Sequence, residues 1–187
     1  MTIDELKNIL KNDKLIYAIK DDSGLEKAIH NNSKVVFVLY GTVMNICKIV
    51  KKLKENNKTV FVHIDLIEGL SPKEVAVDFI INNTGSDGII STKQTLIKYA
   101  SQKGLLTVQR FFLIDSLAYS NLLKQINNSS LDIIEVLPAC STKIISKIVK
   151  LTDHPVIASG LIQDKDDIID ALKVGAIAVS GTNFNDL

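Results

Sequence analysis

The sequence predicts an α/β protein, a compact TIM-like (β/α)8 barrel in which residues 1–187 form a single domain. Eight short apolar runs recur along the chain, and most are separated by a stretch with helical amphipathicity. The 187 residues contain no linker or low-complexity segment, which fits about one domain. An open doubly wound sheet is the competing fold. The count of eight favours the barrel, because eight parallel strands close into a TIM barrel.

The apolar runs are the predicted strands. They are rich in Val and Ile and lack strict polar alternation, which is typical of parallel strands covered by helices. In chain order they are Leu15–Ile19, Val35–Leu39, Val60–Leu66, Gly88–Ile90, Leu105–Val108, Ile133–Leu137, Val156–Ala158 and Ala176–Val179. A helix in Met1–Asn12 is expected to close the barrel floor. The final helix is expected to be a stub, because only Asn183–Leu187 follow the eighth run.

Four segments between the runs carry an apolar stripe at helical spacing. The stripes are Val43, Ile46, Cys47, Val50 and Leu53; Ala76, Phe79 and Ile80 with a polar end at Asn83; Ile144, Ile145, Ile148 and Val149; and Ile168, Ala171 and Leu172. Ser71-Pro72-Lys73-Glu74 resembles a capping box with Pro at the first helical position. Asp115 and Asp164 are predicted N-caps, and Gly104 and Gly175 are predicted to follow helix C-termini.

Composition and charge exclude several classes of protein. The chain is 46% hydrophobic and 23% charged, as in ordinary globular domains, and its net charge of +1 gives no strong nucleic-acid signal. No apolar run reaches the roughly 20 residues of a membrane helix, and the N-terminus lacks the pattern of a signal peptide. Cys47 and Cys140 lie far apart, which favours a reducing cytoplasm over a disulfide framework or a zinc site.

The polar residues at the carboxyl ends of the predicted strands are the candidate functional groups, because TIM-barrel sites gather there. His63 and Asp65 are two apart in the third run, so both are expected to point into the barrel. Together they could perform acid–base chemistry, bind a cation or form a hydrogen-bonded core pair. Glu135 lies in an apolar strand and needs a partner, which Arg110 or Lys93 could provide. That pair would be either structural or a ligand clamp.

The loops after strands seven and eight predict a phosphate site. Ser159-Gly160-Leu161 and Ser180-Gly181-Thr182-Asn183 supply hydroxyls, small residues and backbone N–H groups, and glycine lets the backbone approach an anion closely. Barrels often bind phosphate at this position. Ordinary turns are the alternative interpretation, since Gly is common after strands.

Lysines on the helix after strand two form a second candidate surface. The lysines there are Lys48, Lys51, Lys52, Lys54 and Lys58, and they could form a basic ridge that contacts nucleic-acid phosphates. A second set is Lys143, Lys147 and Lys150. For either set alone, a solvated helix face is the simpler explanation. From the residues alone, an enzyme acting on a small phosphorylated metabolite ranks first, with His63, Asp65 and Glu135 as its acid–base or metal-binding groups. A purely structural barrel ranks below it.

Several long motifs in fixed order resemble the glycerol-3-phosphate-responsive antiterminator family. They are Phe61-Val62-His63-Ile64-Asp65-Leu66-Ile67-Glu68-Gly69-Leu70, Asp87-Gly88-Ile89-Ile90-Ser91-Thr92-Lys93, the segment from Gly104 to Ser116, Glu135-Val136-Leu137-Pro138, Pro155-Val156-Ile157-Ala158-Ser159-Gly160-Leu161-Ile162 and Gly175-Ala176-Ile177-Ala178-Val179-Ser180. The resemblance extends from about Ile16 to Asn183. Where Ser159-Gly160 stands here, the family usually has two glycines.

The resemblance implies a cytoplasmic regulator of glycerol-uptake genes with a TIM-like barrel and no assigned catalytic reaction. Glycerol-3-phosphate would be its effector and leader mRNA its partner, with no metal, cofactor or membrane, and a homo-oligomer is plausible. This implication places the regulator above the enzyme. The expected effector contacts are His63, Asp65, Lys93, Arg110, Glu135, Ser159, Gly160, Ser180, Gly181 and Thr182, and the expected RNA contacts are Lys48, Lys51 and Lys52.

Overall fold

Eight parallel strands close into a barrel in which each strand pairs with its neighbours in chain order, and β8 pairs with β1. The computed structural model describes residues 1–127 and 130–184. Its elements are α1 (Ile3–Asn12), β1 (Leu15–Ile19), α2 (Asp22–His30), β2 (Val35–Val38), α3 (Ile46–Glu55), β3 (Thr59–His63), α4 (Glu74–Asn83), β4 (Gly88–Ser91), α5 (Gln94–Gln102), β5 (Leu106–Phe112), α6 (Ser116–Gln125), β6 (Ile133–Leu137), α7 (Thr142–Val149), β7 (Val156–Ser159), α8 (Lys165–Lys173) and β8 (Ala178–Gly181). The predicted TIM-like fold is confirmed.

The barrel interior has an apolar floor and a polar mouth. Leu6 and Leu10 of α1 pack against interior residues such as Phe37, Phe61 and Ile157, which confirms the predicted floor helix. Side chains two residues further along a strand point to the same face. The next interior layer toward the carboxyl ends is polar and buried; it comprises His63, Arg110, Glu135, Ser159 and Ser180.

Several strand bounds differ from the sequence prediction. β8 is Ala178–Gly181, two residues later than the predicted Ala176–Val179, and the largest difference is at β5. β5 continues to Phe112, beyond the predicted end at Val108, because its polar residues are bonded. Gln109 donates to Gln125 (2.6 Å), and Arg110 pairs with Glu135. β3 ends at His63, and the rest of the predicted run is a 3-10 helix, Ile64–Leu66.

The helix caps agree with the sequence except at α4. Asp115 and Asp164 accept a hydrogen bond from the first turns of α6 and α8. Gly104 and Gly175 have positive φ after α5 and α8, as predicted. The capping box predicted over Ser71–Glu74 is wrong, because α4 begins at Glu74 after an N-cap, Lys73, that makes no side-chain cap bond.

One strand glycine is required by packing. A Cβ at Gly88 would lie 2.4 Å from both the carbonyl oxygen of Leu106 and Cε1 of Phe61. Strand β4 therefore approaches its neighbour and the interior Phe61 ring more closely than any side chain allows.

Two further expectations concern the C-terminal helix and membrane-spanning helices. Residues 185–187 of the expected C-terminal stub lie outside the described residues. None of the helices in the described part of the chain has both the length and the apolar character required to cross a bilayer.

Candidate ligand site at the barrel mouth

A cavity of about 200 Å³ opens at the carboxyl ends of the strands, on the side formed by β5 to β8 and β1. Its polar lining comprises Arg110, Glu135, Ser159, Gly160, Ser180, Gly181, Thr182 and Asn183. Apolar side chains complete the wall, among them Ala18, Leu39, Leu137 and Ile162. The structure therefore brings together seven of the ten residues predicted to contact the effector. His63, Asp65 and Lys93 are not part of the lining.

Arg110 and Glu135 form a buried ion pair in the wall of this cavity. They face each other across β5 and β6, and the guanidinium donates through Nε to Oε2 (2.6 Å) and through Nη2 to Oε1 (3.1 Å). The Ser159 hydroxyl donates to the same Oε1 (2.6 Å). Arg110, and not Lys93, is therefore the partner that the buried carboxylate requires. A guanidinium carries five N–H groups, so donors remain beyond the two that bind Glu135.

The β7–α8 loop supplies backbone donors. Gly160 (φ 76°) and Leu161 (φ 56°) both adopt left-handed conformations, which turn the chain sharply at the end of β7. Within the described residues, the N–H groups of Leu161 and Ile162 form no hydrogen bond, and both residues line the cavity. Free N–H groups beside a guanidinium and hydroxyls form a suitable environment for an anion.

The N-terminus of α8 does not add to this anion site. Asp164 caps the helix, and Asp167 accepts a hydrogen bond from the N–H of Gln163 (2.7 Å). Because carboxylates already occupy the first turn, a bound phosphate would be held by the loop and not by the helix dipole.

His63, at the end of β3, faces the barrel interior outside the cavity lining and is buried, with 2% of its surface exposed. Its Nδ1 has no hydrogen-bond partner among the described residues. Burial, and next the positive charge of Arg110, lower the pKa of His63 to about 4, so its imidazole is neutral at pH 7.

Asp65 is held by the β4–α5 loop. Its carboxylate accepts hydrogen bonds from Ser91 Oγ (2.9 Å), Thr92 N (2.7 Å) and Thr92 Oγ1 (2.9 Å), and Lys93 Nζ lies 3.5 Å away. Burial opposes its ionisation, but the hydrogen bonds from Thr92 and Ser91 prevail and lower its pKa. Because β3 ends before Asp65, the predicted placement of both polar side chains on one strand does not apply.

These placements limit the chemistry available at the mouth. The Glu135 carboxylate is paired, Asp65 is bonded to a neighbouring loop, and His63 lies away from the cavity lining. In the described ranges, no three His, Cys, Asp or Glu side chains are grouped so that they could hold a metal ion. The arrangement is well suited to binding a small anion.

The sequence predicted this loop as a source of backbone N–H groups, but Leu161 and Ile162 were not among the predicted contact residues. They contribute through their backbone, which the side-chain pattern does not encode, and a leucine at φ 56° is unusual. Gly160 is the signal that identified the loop.

The predicted lysine surface on α3 is exposed but partly neutralised. Lys51 lies 3.8 Å from Glu55, and Lys52 lies 3.5 Å from Glu26. Lys48 is exposed and forms no ion pair among the described residues. The α3 lysines therefore present less free positive charge than their number suggests.

Comparison with known proteins identifies close relatives of the chain. A family model described as glycerol-3-phosphate responsive antiterminator matches residues 15–185. The uncharacterized protein YgcP of Escherichia coli strain K12 is 39% identical over 178 residues, which cover 95% of this chain and 93% of YgcP.

Several solved structures are similar to the chain in fold. A glycerol uptake operon antiterminator regulatory protein from Listeria monocytogenes is 33% identical with a TM-score of 0.89, covering 93% of this chain and 94% of that one. A glycerol uptake operon antiterminator-related protein from Thermotoga maritima is 33% identical with a TM-score of 0.80, covering 91% and 95%. A putative deoxyribose-phosphate aldolase from Coccidioides immitis, 13% identical with a TM-score of 0.71, covers 93% of this chain and 83% of its own and shares the fold.

Proposed function

The chain belongs to the glycerol-3-phosphate responsive antiterminator family, and from this premise we propose that it binds glycerol-3-phosphate in the barrel mouth and leader mRNA of glycerol-uptake genes on its surface. Binding of the effector would let transcription pass a terminator in the leader. The protein would act in the cytoplasm, where the transcripts are made, and would leave glycerol-3-phosphate unchanged.

The observation that carries the effector proposal is the concentration of anion-binding groups in one small cavity. The N–H groups of Leu161 and Ile162 and the Thr182 hydroxyl would bind the phosphate, and Arg110 would balance its charge. A cavity of about 200 Å³ is smaller than typical drug-sized pockets and suits a small metabolite.

The glycerol hydroxyls would donate to Glu135, whose carboxylate has lone pairs beyond those used by Arg110 and Ser159. His63, Asp65 and Lys93 lie outside the cavity lining, so we assign them a positioning role. Asp65 fixes the β4–α5 loop, and the neutral His63 leaves Arg110 without a second positive charge beside it.

Regulation requires that the effector bind one conformation better than another. A phosphate beside Arg110 would compete with Glu135 for its donors, and both residues lie on strands that lead directly into surface loops. Rearrangement of this pair is therefore the simplest link from the cavity to the surface.

Isothermal titration with glycerol-3-phosphate, with glycerol and inorganic phosphate as controls, tests the effector site. Thr182→Val should weaken binding about tenfold, because one hydrogen bond to a charged group is lost. Thr95→Val, an exposed threonine on α5, is the matched control and should bind normally. Wild-type protein that does not bind glycerol-3-phosphate would contradict the proposal.

Analysis of the titrated ligand separates the regulator from the barrel enzyme. Unchanged glycerol-3-phosphate after prolonged incubation is expected. A product whose formation is lost in His63→Ala, with binding retained, would establish the enzyme instead.

A further inference from the structure

Positive charge is concentrated on one side of the barrel although the net charge is only +1. Residues 88–152 contain eight Lys and Arg against three Asp and Glu, a net charge of +5. The rest of the chain contains fourteen Lys and Arg against eighteen Asp and Glu, a net charge of −4. Residues 88–152 run from β4 to the end of α7, so the basic stretch forms a continuous side of the molecule.

Lys93, Lys103 and Arg110 on this side are ion-paired, but among the described residues the lysines of α6 and α7 are not. Helices α6 and α7 contain no acidic residue. The lysines Lys124, Lys143, Lys147 and Lys150 are exposed and form no ion pair in the part of the chain that the structure describes. Asp115, which lines the cavity between these helices, accepts a hydrogen bond from the N–H of Ala118 (2.7 Å) and so caps α6. This surface therefore differs from α3, where Glu55 and Glu26 lie beside the lysines.

Apolar side chains are exposed next to these lysines. Ile114 is 82% exposed and Leu117 67%, both around the start of α6. Between α6 and α7 lies an open cavity of about 340 Å³ whose lining includes Ile114, Tyr119, Ile144 and Lys147. We call the surface formed by these four residues and Lys143 the α6–α7 groove.

We propose that the α6–α7 groove is the surface on which leader RNA docks as an unpaired strand; this rests on the proposed function. Unpaired lysines would neutralise phosphates, and bases would stack on the Tyr119 ring and pack against exposed Ile114 and half-buried Ile144. Unpaired RNA offers free base faces, whereas a duplex hides them, so the apolar lining favours a loop or single strand.

The groove is also connected to the effector cavity. β5 carries Arg110 in the cavity wall and leads into α6 through Ile114. β6 carries Glu135 and Leu137 in the same wall and leads into α7. A change in the Arg110–Glu135 pair would therefore act on both walls of the groove.

Charge reversal tests the location. Lys143→Glu/Lys147→Glu is expected to weaken binding of a random-sequence single-stranded RNA pool about tenfold, and to reduce the salt slope by about 1.4, since each lost phosphate contact contributes about 0.7. Lys7→Glu/Lys11→Glu on α1 has the same spacing and is the control, with binding unchanged. Glycerol-3-phosphate titration of each variant reports on its folding and its effector site.

The outcomes distinguish a wrong location of the RNA surface from the absence of RNA binding. Loss of binding in Lys48→Glu/Lys52→Glu on α3, with the α6–α7 variant normal, would overturn the groove and leave the RNA-binding function standing. Wild-type protein that binds neither the pool nor a leader transcript would overturn both. RNA affinity unaffected by every reversal would also overturn the groove, and would direct attention to an acidic protein as its occupant.

A second measurement does not depend on any substitution. RNA containing 4-thiouridine, crosslinked to the wild-type protein and mapped by mass spectrometry, should label peptides that contain Ile114 to Tyr119 and Thr142 to Val149. Labelling confined to other helices would contradict the proposed surface.

Discussion

At the scale of single residues, the buried Arg110–Glu135 pair is the most consequential contact of the barrel mouth. Its existence could be predicted in part from the sequence, because a carboxylate within an apolar strand requires a partner. The choice between Arg110 and Lys93 could not, since it depends on strand register: Arg110 and Glu135 are directly opposed across β5 and β6.

Removal of one member of the pair should destabilise the protein strongly. Arg110→Met would leave the fully buried Glu135 without its counter-charge, which is expected to lower the free energy of unfolding by about 3–5 kcal/mol. Urea denaturation measures this loss. Lys93→Met, which removes an exposed cation, is the control and should cost less than about 1 kcal/mol. A loss equally small for Arg110→Met would show that Glu135 does not depend on Arg110 as its counter-charge.

His63 should make stability depend on pH. Its folded pKa of about 4 lies below the ordinary value of 6.5, so the unfolded chain takes up the proton first as the pH falls. Stability is therefore complete above pH 6.5 and is lost as the pH falls toward 4, by up to about 3 kcal/mol. Urea unfolding across this window should show a steeper loss for wild type than for His63→Leu. Parallel curves would indicate that His63 is solvated in the folded protein.

At the scale of elements, the sequence predicted a strand correctly where a local run of apolar residues was enough to define it. Leu15–Ile19 and Ile133–Leu137 are strands with the predicted bounds, because each consists mainly of apolar residues and Glu135, the one charged residue in the second, is paired. The run predicted at Val60–Leu66 is split between β3 and the 3-10 helix Ile64–Leu66. The chain turns there because Asp65 binds Ser91 and Thr92 in the β4–α5 loop, 26 and 27 residues further along the chain. Such a contact is tertiary and leaves no local pattern.

Helix capping provides a test at this scale. Asp164 accepts a hydrogen bond from the N–H of Asp167 (3.0 Å), so Asp164→Ala should lower the free energy of unfolding by about 1 kcal/mol. Lys73 is the N-cap residue of α4 but makes no cap bond. Lys73→Ala should therefore change the free energy of unfolding by only about a few tenths of a kcal/mol. Equal effects in thermal denaturation would show that the side-chain bond at α8 contributes nothing.

At the scale of the whole molecule, closure of the barrel could be predicted from the number of apolar runs. The separation of its interior into an apolar floor and a polar mouth could not be predicted as directly. The floor is apolar because α1 seals it, and the mouth is polar because Arg110 is neutralised by Glu135. A single apolar run does not show which residues of the other strands will lie beside it in the barrel. The cavity arises where several strand ends meet, and its backbone donors at Leu161 and Ile162 have no side-chain signature.

Ligand binding should stabilise the barrel as a unit, because the cavity spans the junction at which β8 meets β1. Ala18 of β1 lines it together with Gly181 of β8, so a bound molecule contacts both ends of the chain. Glycerol-3-phosphate at one hundred times its Kd should add about 2.7 kcal/mol, which raises Tm by roughly 5–10 °C in a domain of this size. Differential scanning fluorimetry measures the shift.

Inorganic phosphate and glycerol at the same concentration are the controls for this shift. If the cavity recognises both halves of the effector, each fragment should raise Tm by much less than glycerol-3-phosphate, since each forms only part of the contacts. Thr182→Val should reduce the shift at a fixed effector concentration, because weaker binding stabilises less. A shift with inorganic phosphate as large as that with glycerol-3-phosphate would restrict the site to phosphate recognition and would leave Glu135 without a role in binding.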